Sequence, residues 1–158
     1  MDCSTSDPAY EGLSIHGRFG RRSYLAWHAL LALGLLLMLG TAALIAPDLR
    51  QVNFSNFDSS HIIALVLLLI AQLGALYFHV VFTVRRLHDC ALNAYWALLC
   101  LIPFANWFLA FYLLFKPGIA QKNRFGEVRH TLNWEKYLAY CTVFTLITGS
   151  LYFILVAN

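Results

Sequence analysis

Charged side chains are scarce in this chain of 158 residues. Asp, Glu, Lys and Arg make up 12% of it, against about 25% in an ordinary soluble domain. With 60% hydrophobic residues, it lacks the polar surface that a water-soluble globule of this size needs. No Asp or Glu falls within its long apolar runs, so the intramembrane carboxylate common in proton-coupled carriers is missing. Cys3, Cys90, Cys100 and Cys141 form no Cys-x-x-Cys pair, which points away from a disulfide framework and from a metal site. The sequence also lacks His-Glu-x-x-His, Gly-x-Ser-x-Gly, a P-loop and paired carboxylates. No catalytic residue, metal ligand or cofactor is therefore expected.

What is present is a set of long apolar runs separated by short polar clusters. Runs cover residues 24–46, 62–84, 94–115 and 137–156. At about 1.5 Å per residue, 20 or more helical residues match the ~30 Å hydrocarbon core of a bilayer. Their continuity excludes the ten-residue alternation of a β-barrel strand. Aromatic residues stand at many of their ends, among them Tyr24, Trp27, Tyr95, Trp96, Trp134 and Tyr137, as at headgroup depth. The expected fold class is all-α, a helical transmembrane bundle of about four membrane segments. A polar, basic segment 1–23 precedes a single membrane domain at 24–156. The first run is too long for a signal-peptide core and lacks an Ala-x-Ala site after it, so it reads as a retained helix.

The distribution of Lys and Arg bears on orientation. Segment 1–23 holds Arg18, Arg21 and Arg22; linker 47–60 holds only Arg50; link 85–93 holds Arg85 and Arg86. This pattern predicts a cytoplasmic N-terminus. Segment 116–136, with Lys116, Lys122, Arg124, Arg129 and Lys136, conflicts with it if all four runs cross. Two readings of run 94–115 are open. Its length supports a complete span kinked at Pro103, and weighs the more heavily. The loop charge supports a re-entrant hairpin turning at Pro103, which would return 116–136 to the side of Arg85 and Arg86.

Three motifs carry candidate binding groups. Arg85-Arg86-Leu87-His88-Asp89 ends the second run, where guanidiniums complement a helix C-terminus and suit phosphate oxygens. Gly17-Arg18-Phe19-Gly20-Arg21-Arg22-Ser23-Tyr24 precedes the first, with Arg21, Tyr24 and His28 on one helix face. Asn123-Arg124-Phe125-Gly126 follows Pro117-Gly118. The candidate binding residues are Arg18, Arg21, Tyr24, Arg85, Arg86, His88, Asp89, Asn123 and Arg124. The competing reading of the arginines is a positive anchor with a local ion pair. Within the second run Gln72 and His79 are intramembrane polar groups spaced by seven, suited to a solute path or to a hydrogen bond between helices.

These motifs occur in a fixed order, with Leu101-Ile102-Pro103 between the second and third. In this the chain resembles the bacterial domain-of-unknown-function family 805 over roughly residues 15–127. The resemblance implies a small multi-pass protein of the bacterial cytoplasmic (inner) membrane and transfers no catalytic residue. Two departures stand out. The family usually has Gly soon after Arg-Arg-Leu-His-Asp and then paired Trp, where this chain has Cys90-Ala91-Leu92-Asn93-Ala94-Tyr95-Trp96. The fourth run also continues past the last family motif.

The expected function is a non-enzymatic component of the cell envelope. Its expected partners are the lipid bilayer, anionic lipid headgroups, and a membrane-protein partner or a second copy of itself; nucleic acid is not expected. A small oligomeric transporter or channel subunit is the first alternative. A lipid-modifying enzyme using His88 and Asp89 is the second.

Overall fold

The computed structural model describes residues 15–48 and 58–156. Cys3 and most of the linker that carries Arg50 lie outside the described residues. The elements are α-helices α1 (Arg21–Ile45), α2 (Ser59–Asp89), α3 (Pro103–Phe115) and α4 (Asn133–Val156), with a 3-10 helix at Ala94–Leu101 ahead of α3. No named strand occurs among the described residues, in agreement with the all-α helical membrane fold. Helices α1, α2 and α4 are long and apolar enough to cross a membrane. Leu36, Leu44 and Ile70 are among their many exposed apolar side chains, as suits helices facing lipid.

Helix α2 overruns the apolar run that predicts it. Arg85-Arg86-Leu87-His88-Asp89 forms its final turns, so this motif lies on the helix rather than beyond it. The helix then closes in a Schellman turn. Leu92 N–H donates to Leu87 C=O (2.9 Å) and Ala91 N–H donates to His88 C=O (3.1 Å), satisfying carbonyls that the helix end leaves open. Ala91 occupies the left-handed position of that turn at φ +55°, where glycine is the usual residue.

The third apolar run is broken. Ile102, the residue before proline, is extended at φ −103°, ψ 111°, as proline's ring requires of its neighbour. Pro103 then opens α3 at a helical position that needs no N–H. Helix α3 has 13 residues, about 20 Å, short of the ~30 Å core. The chain leaving α2 is also bonded to the chain leaving α3. Ile119 N–H donates to Asp89 C=O at 2.9 Å, Asn123 Nδ2 donates to His88 C=O at 2.8 Å, and an Arg124 Nη2 donates to Asn93 Oδ1. A crossing segment would hold those ends about 30 Å apart. Segment 94–115 thus doubles back at Ile102-Pro103, the geometry that the re-entrant reading expects and a kinked complete span does not.

The described chain divides into two compact units. The first holds residues 15–29 and 80–156, and is built on a core of Val84, Leu87, Cys90, Ala97, Cys100, Leu109 and Leu113. This core packs the last turns of α2 against both arms of the hairpin. The second unit, residues 30–48 and 58–79, packs Ala42 of α1 and Ala46, just past its end, against Ala64 and Leu68 of α2. Small side chains there let the helix backbones approach closely. His61 Nε2 lies 3.1 Å from Asp48 Oδ1. Asp58 is the residue ahead of α2, and its carboxylate accepts from Ser59 N–H. Ser59 and Ser60 are the first residues of the helix.

Candidate functional site

In the first unit the three arginine-bearing motifs converge. Arg18, Arg85 and Arg86 are 1%, 1% and 0% exposed, which is exceptional for guanidiniums. The partners of Arg18 and Arg86 explain how this is tolerated. Arg18 donates through Nε and Nη2 to Asp89 Oδ1 at 3.1 and 3.0 Å. Its Nη1 donates to the carbonyls of Gln121 (2.8 Å) and Gly126 (3.3 Å), and Nη2 also to Ile119 C=O. Arg86 donates through Nη1 to Asp89 Oδ2 and to Phe19 C=O (3.3 Å). Its Nε donates to Leu113 C=O at 3.0 Å and its Nη2 to Lys116 C=O. One carboxylate therefore serves two guanidiniums, and backbone oxygens of Phe19 and of residues 113–126 accept from the remaining donors. Buried charges persist only when paired and hydrogen-bonded in this way.

Two glycines make the arrangement possible. A Cβ on Gly118 would overlap the Asp89 carboxylate, so the chain after α3 can lie against Asp89 only without a side chain. Gly126 sits at φ +120°, a conformation open essentially to glycine. It closes the Asn123-Arg124-Phe125-Gly126 turn, in which Asn123 and Gly126 exchange backbone bonds at 3.1 and 3.0 Å. Asn123 Oδ1 accepts from Phe125 N–H at 2.9 Å, so this side chain bonds the turn with one atom and α2 with another. Phe125 stacks on His88, with ring centroids 3.9 Å apart and planes at 10°. Arg124 lies over the outer side of the turn, 4.6 Å from the Phe125 centroid, and remains exposed.

A second buried carboxylate, not among the sequence candidates, adjoins the first. Glu135 accepts from Ser23 Oγ (2.9 Å), Trp27 Nε1 (2.8 Å), Arg129 Nη1 and Nη2 (3.1 and 2.9 Å) and Leu132 N–H (3.0 Å). The bond to Leu132 is the return half of a capping box at the start of α4. A Glu in the first turn of a helix was the available signal; the residue lies just ahead of the fourth apolar run and reads there as a boundary. Phe19 joins the two clusters. The Arg85 guanidinium lies 4.0 Å from its ring centroid and that of Arg129 5.1 Å away, while Trp27 and Phe82 pack beside it.

Of the sequence candidates, Arg18, Arg85, Arg86, His88, Asp89, Asn123 and Arg124 are brought together. Tyr24 is buried and its ring packs on His28, with centroids 4.3 Å apart. Arg21 is exposed. Gln72, exposed, and His79, half-buried, belong to the second unit. Cys90 lies beside Asp89, and burial pushes its thiol up from the ordinary value, which disfavours the nucleophilic thiolate. Among the described residues no group of three His, Cys, Asp or Glu side chains gathers as a metal site would require.

Comparison with known proteins adds three findings. The family described as protein of unknown function (DUF805) matches residues 12–127. The chain is similar to "Inner membrane protein YhaH" of Escherichia coli strain K12, and to the protein of that name in Escherichia coli O157:H7, at 48% identity over 42 residues in each case. That stretch is 27% of this chain and 35% of either relative, so the match spans about a third of their length. No solved structure matches the chain.

Proposed function

The chain belongs to the DUF805 family, and from that membership and the chemistry of its basic end we propose a non-enzymatic component of the bacterial inner membrane that engages anionic lipid headgroups. One observation carries this reading. Every Lys and Arg among the described residues belongs to the first unit, at the start of α1, the end of α2, segment 116–132 and the first turn of α4. The carboxylates Asp89 and Glu135 are buried there and matched by Arg18, Arg86 and Arg129. Among the described residues of this unit, Glu127 is the exposed carboxylate, 3.5 Å from Lys122. The outward charge of this unit is positive among the described residues, carried by Arg21, Arg22, Lys122 and Arg124, with Lys116 and Lys136 half-buried.

A positive end beside membrane helices supports a cytoplasmic N-terminus and a cytoplasmic segment 116–136. Each basic residue near an anionic leaflet contributes about 1 kcal/mol of attraction. The role of Arg85 and Arg86 shifts in this reading. Their burial removes them from direct contact with headgroups and makes them the framework of the basic surface.

Purification in mild detergent, followed by mass spectrometry of the retained lipid, tests the proposal. Retained lipid is expected to be richer in phosphatidylglycerol than the membrane it came from. A variant carrying Arg21→Gln, Arg22→Gln and Lys122→Gln is expected to return that ratio toward the bulk value. A retained pool matching the bulk membrane, or one unchanged in the variant, refutes it.

A further inference from the structure

The two arms of the re-entrant hairpin enclose an apolar groove. Leu92, Trp96 and Leu99 line one side, and Phe108, Leu109 and Tyr112 the other, around a volume of about 460 Å³. This falls within the range of small-ligand sites, roughly 300–1,000 Å³. The depth of the groove fits one leaflet. A 3-10 helix of eight residues is about 16 Å long, and α3 about 20 Å; half the hydrocarbon core is about 15 Å. A chain entering from one side of the bilayer would fill it.

The open ends of the arms carry cations. Leu92 is followed by Asn93, whose Oδ1 accepts from Arg124. Tyr112 at the other wall bonds Lys116 Nζ through its hydroxyl, and that ammonium lies 4.8 Å from its ring centroid. Neither cation has a carboxylate within ion-pair distance among the described residues. Both are fixed by the buried framework: Arg86 holds the Lys116 carbonyl, and Asn123, beside Arg124, is bonded to His88.

We propose that this groove is a site for one anionic glycerophospholipid, with an acyl chain between the hairpin arms and the phosphate met by Lys116 and Arg124. The proposal rests on the anionic-lipid reading above and narrows it to a discrete site.

The full chain in a zwitterionic detergent is the material for the test, with native mass spectrometry as the readout. Phosphatidylglycerol is expected to be retained as a single bound molecule, several-fold more than phosphatidylcholine with the same chains. Soluble glycerol phosphate is expected not to displace it, which separates a lipid from a free phosphate ligand. Lys116→Gln with Arg124→Gln is expected to lower retention about tenfold or more, given about 1 kcal/mol per cation. Ala105 of α3 also lines the groove, and Ala105→Trp, which fills it and leaves both cations, is expected to lower retention as well. Equal retention of the two lipids, or retention unchanged in the charge variant, overturns the proposal. So does unchanged retention in a folded Ala105→Trp protein; if that variant loses its helical signal, the charge variant decides. Enrichment that depends on Arg21, Arg22 and Lys122 but not on these positions would sink the groove and leave the broader reading standing.

Discussion

Arg18 and Asp89, 71 positions apart in sequence, form a buried ion pair in which both Nε and Nη2 of the arginine donate to one carboxylate oxygen, at 3.1 and 3.0 Å. The second oxygen of Asp89 accepts from Arg86. This carboxylate joins the segment ahead of α1, the end of α2 and, through the carbonyls bound by the two arginines, the chain that follows the hairpin. Its removal would leave two buried guanidiniums without a counter-charge.

Asp89→Asn is accordingly expected to cost about 3–5 kcal/mol, the usual consequence of removing one partner of a buried ion pair. Denaturant unfolding in detergent micelles measures the loss. Segment 116–126 should open at the same time, so trypsin should cut after Lys122 faster than in the unmodified chain. A variant with unchanged stability and unchanged cleavage would show that Asp89 does not hold the loop.

Ala91 offers a change in the opposite direction. A residue with a Cβ at φ +55° bears a steric cost of about 1–2 kcal/mol, partly offset by the greater chain entropy that glycine loses on folding. Ala91→Gly is expected to stabilise the protein by up to about 1 kcal/mol, read as a higher unfolding midpoint in the same assay. A lower midpoint would mean that the methyl group contributes packing that outweighs the backbone strain.

How much of this was legible in the sequence depends on what holds each part together. The three helices long and apolar enough to cross a membrane follow from hydropathy and length, which need no knowledge of partners. Pro103 marks the break in the third run, but a proline alone does not distinguish a kink from a turn. The difference lies in Asp89, His88 and Asn93 bonding to Ile119, Asn123 and Arg124, contacts between residues about 30 positions apart. The arginine motifs were visible as clusters, yet their burial was not. Most acceptors of Arg18 and Arg86 are backbone carbonyls, which every residue possesses and no motif marks. Glu135 escaped notice because its donors Ser23, Trp27 and Arg129 come from two other segments.

The hairpin makes a prediction about sidedness. Cysteines placed singly at His16, Lys122 and His130, in a chain with its native cysteines replaced, should all react with a membrane-impermeant maleimide from the same side. All three positions are exposed, so burial does not confound the result. Labelling of position 122 from the side opposite to position 16 would require segment 94–115 to cross the membrane and would overturn the hairpin assignment.

Glu135 provides the last test, because its role is separable from that of Asp89. Its oxygens accept from Ser23, Trp27, Arg129 and Leu132. In Glu135→Gln one oxygen still accepts, but the other becomes an NH2 that can only donate, facing groups that also donate, and Arg129 loses its counter-charge. A loss of about 2–4 kcal/mol is expected, combining an unsatisfied buried donor with a broken ion pair. Trp27 should report the change directly, since its indole N–H loses a carboxylate partner and its emission should shift. Adding Arg129→Met removes the stranded charge. The double variant is expected to be more stable than the sum of the single losses implies, with a coupling of about 1–3 kcal/mol. Strict additivity would show that Arg129 and Glu135 act independently, leaving Ser23, Trp27 and Leu132 as the partners through which Glu135 holds the start of α4.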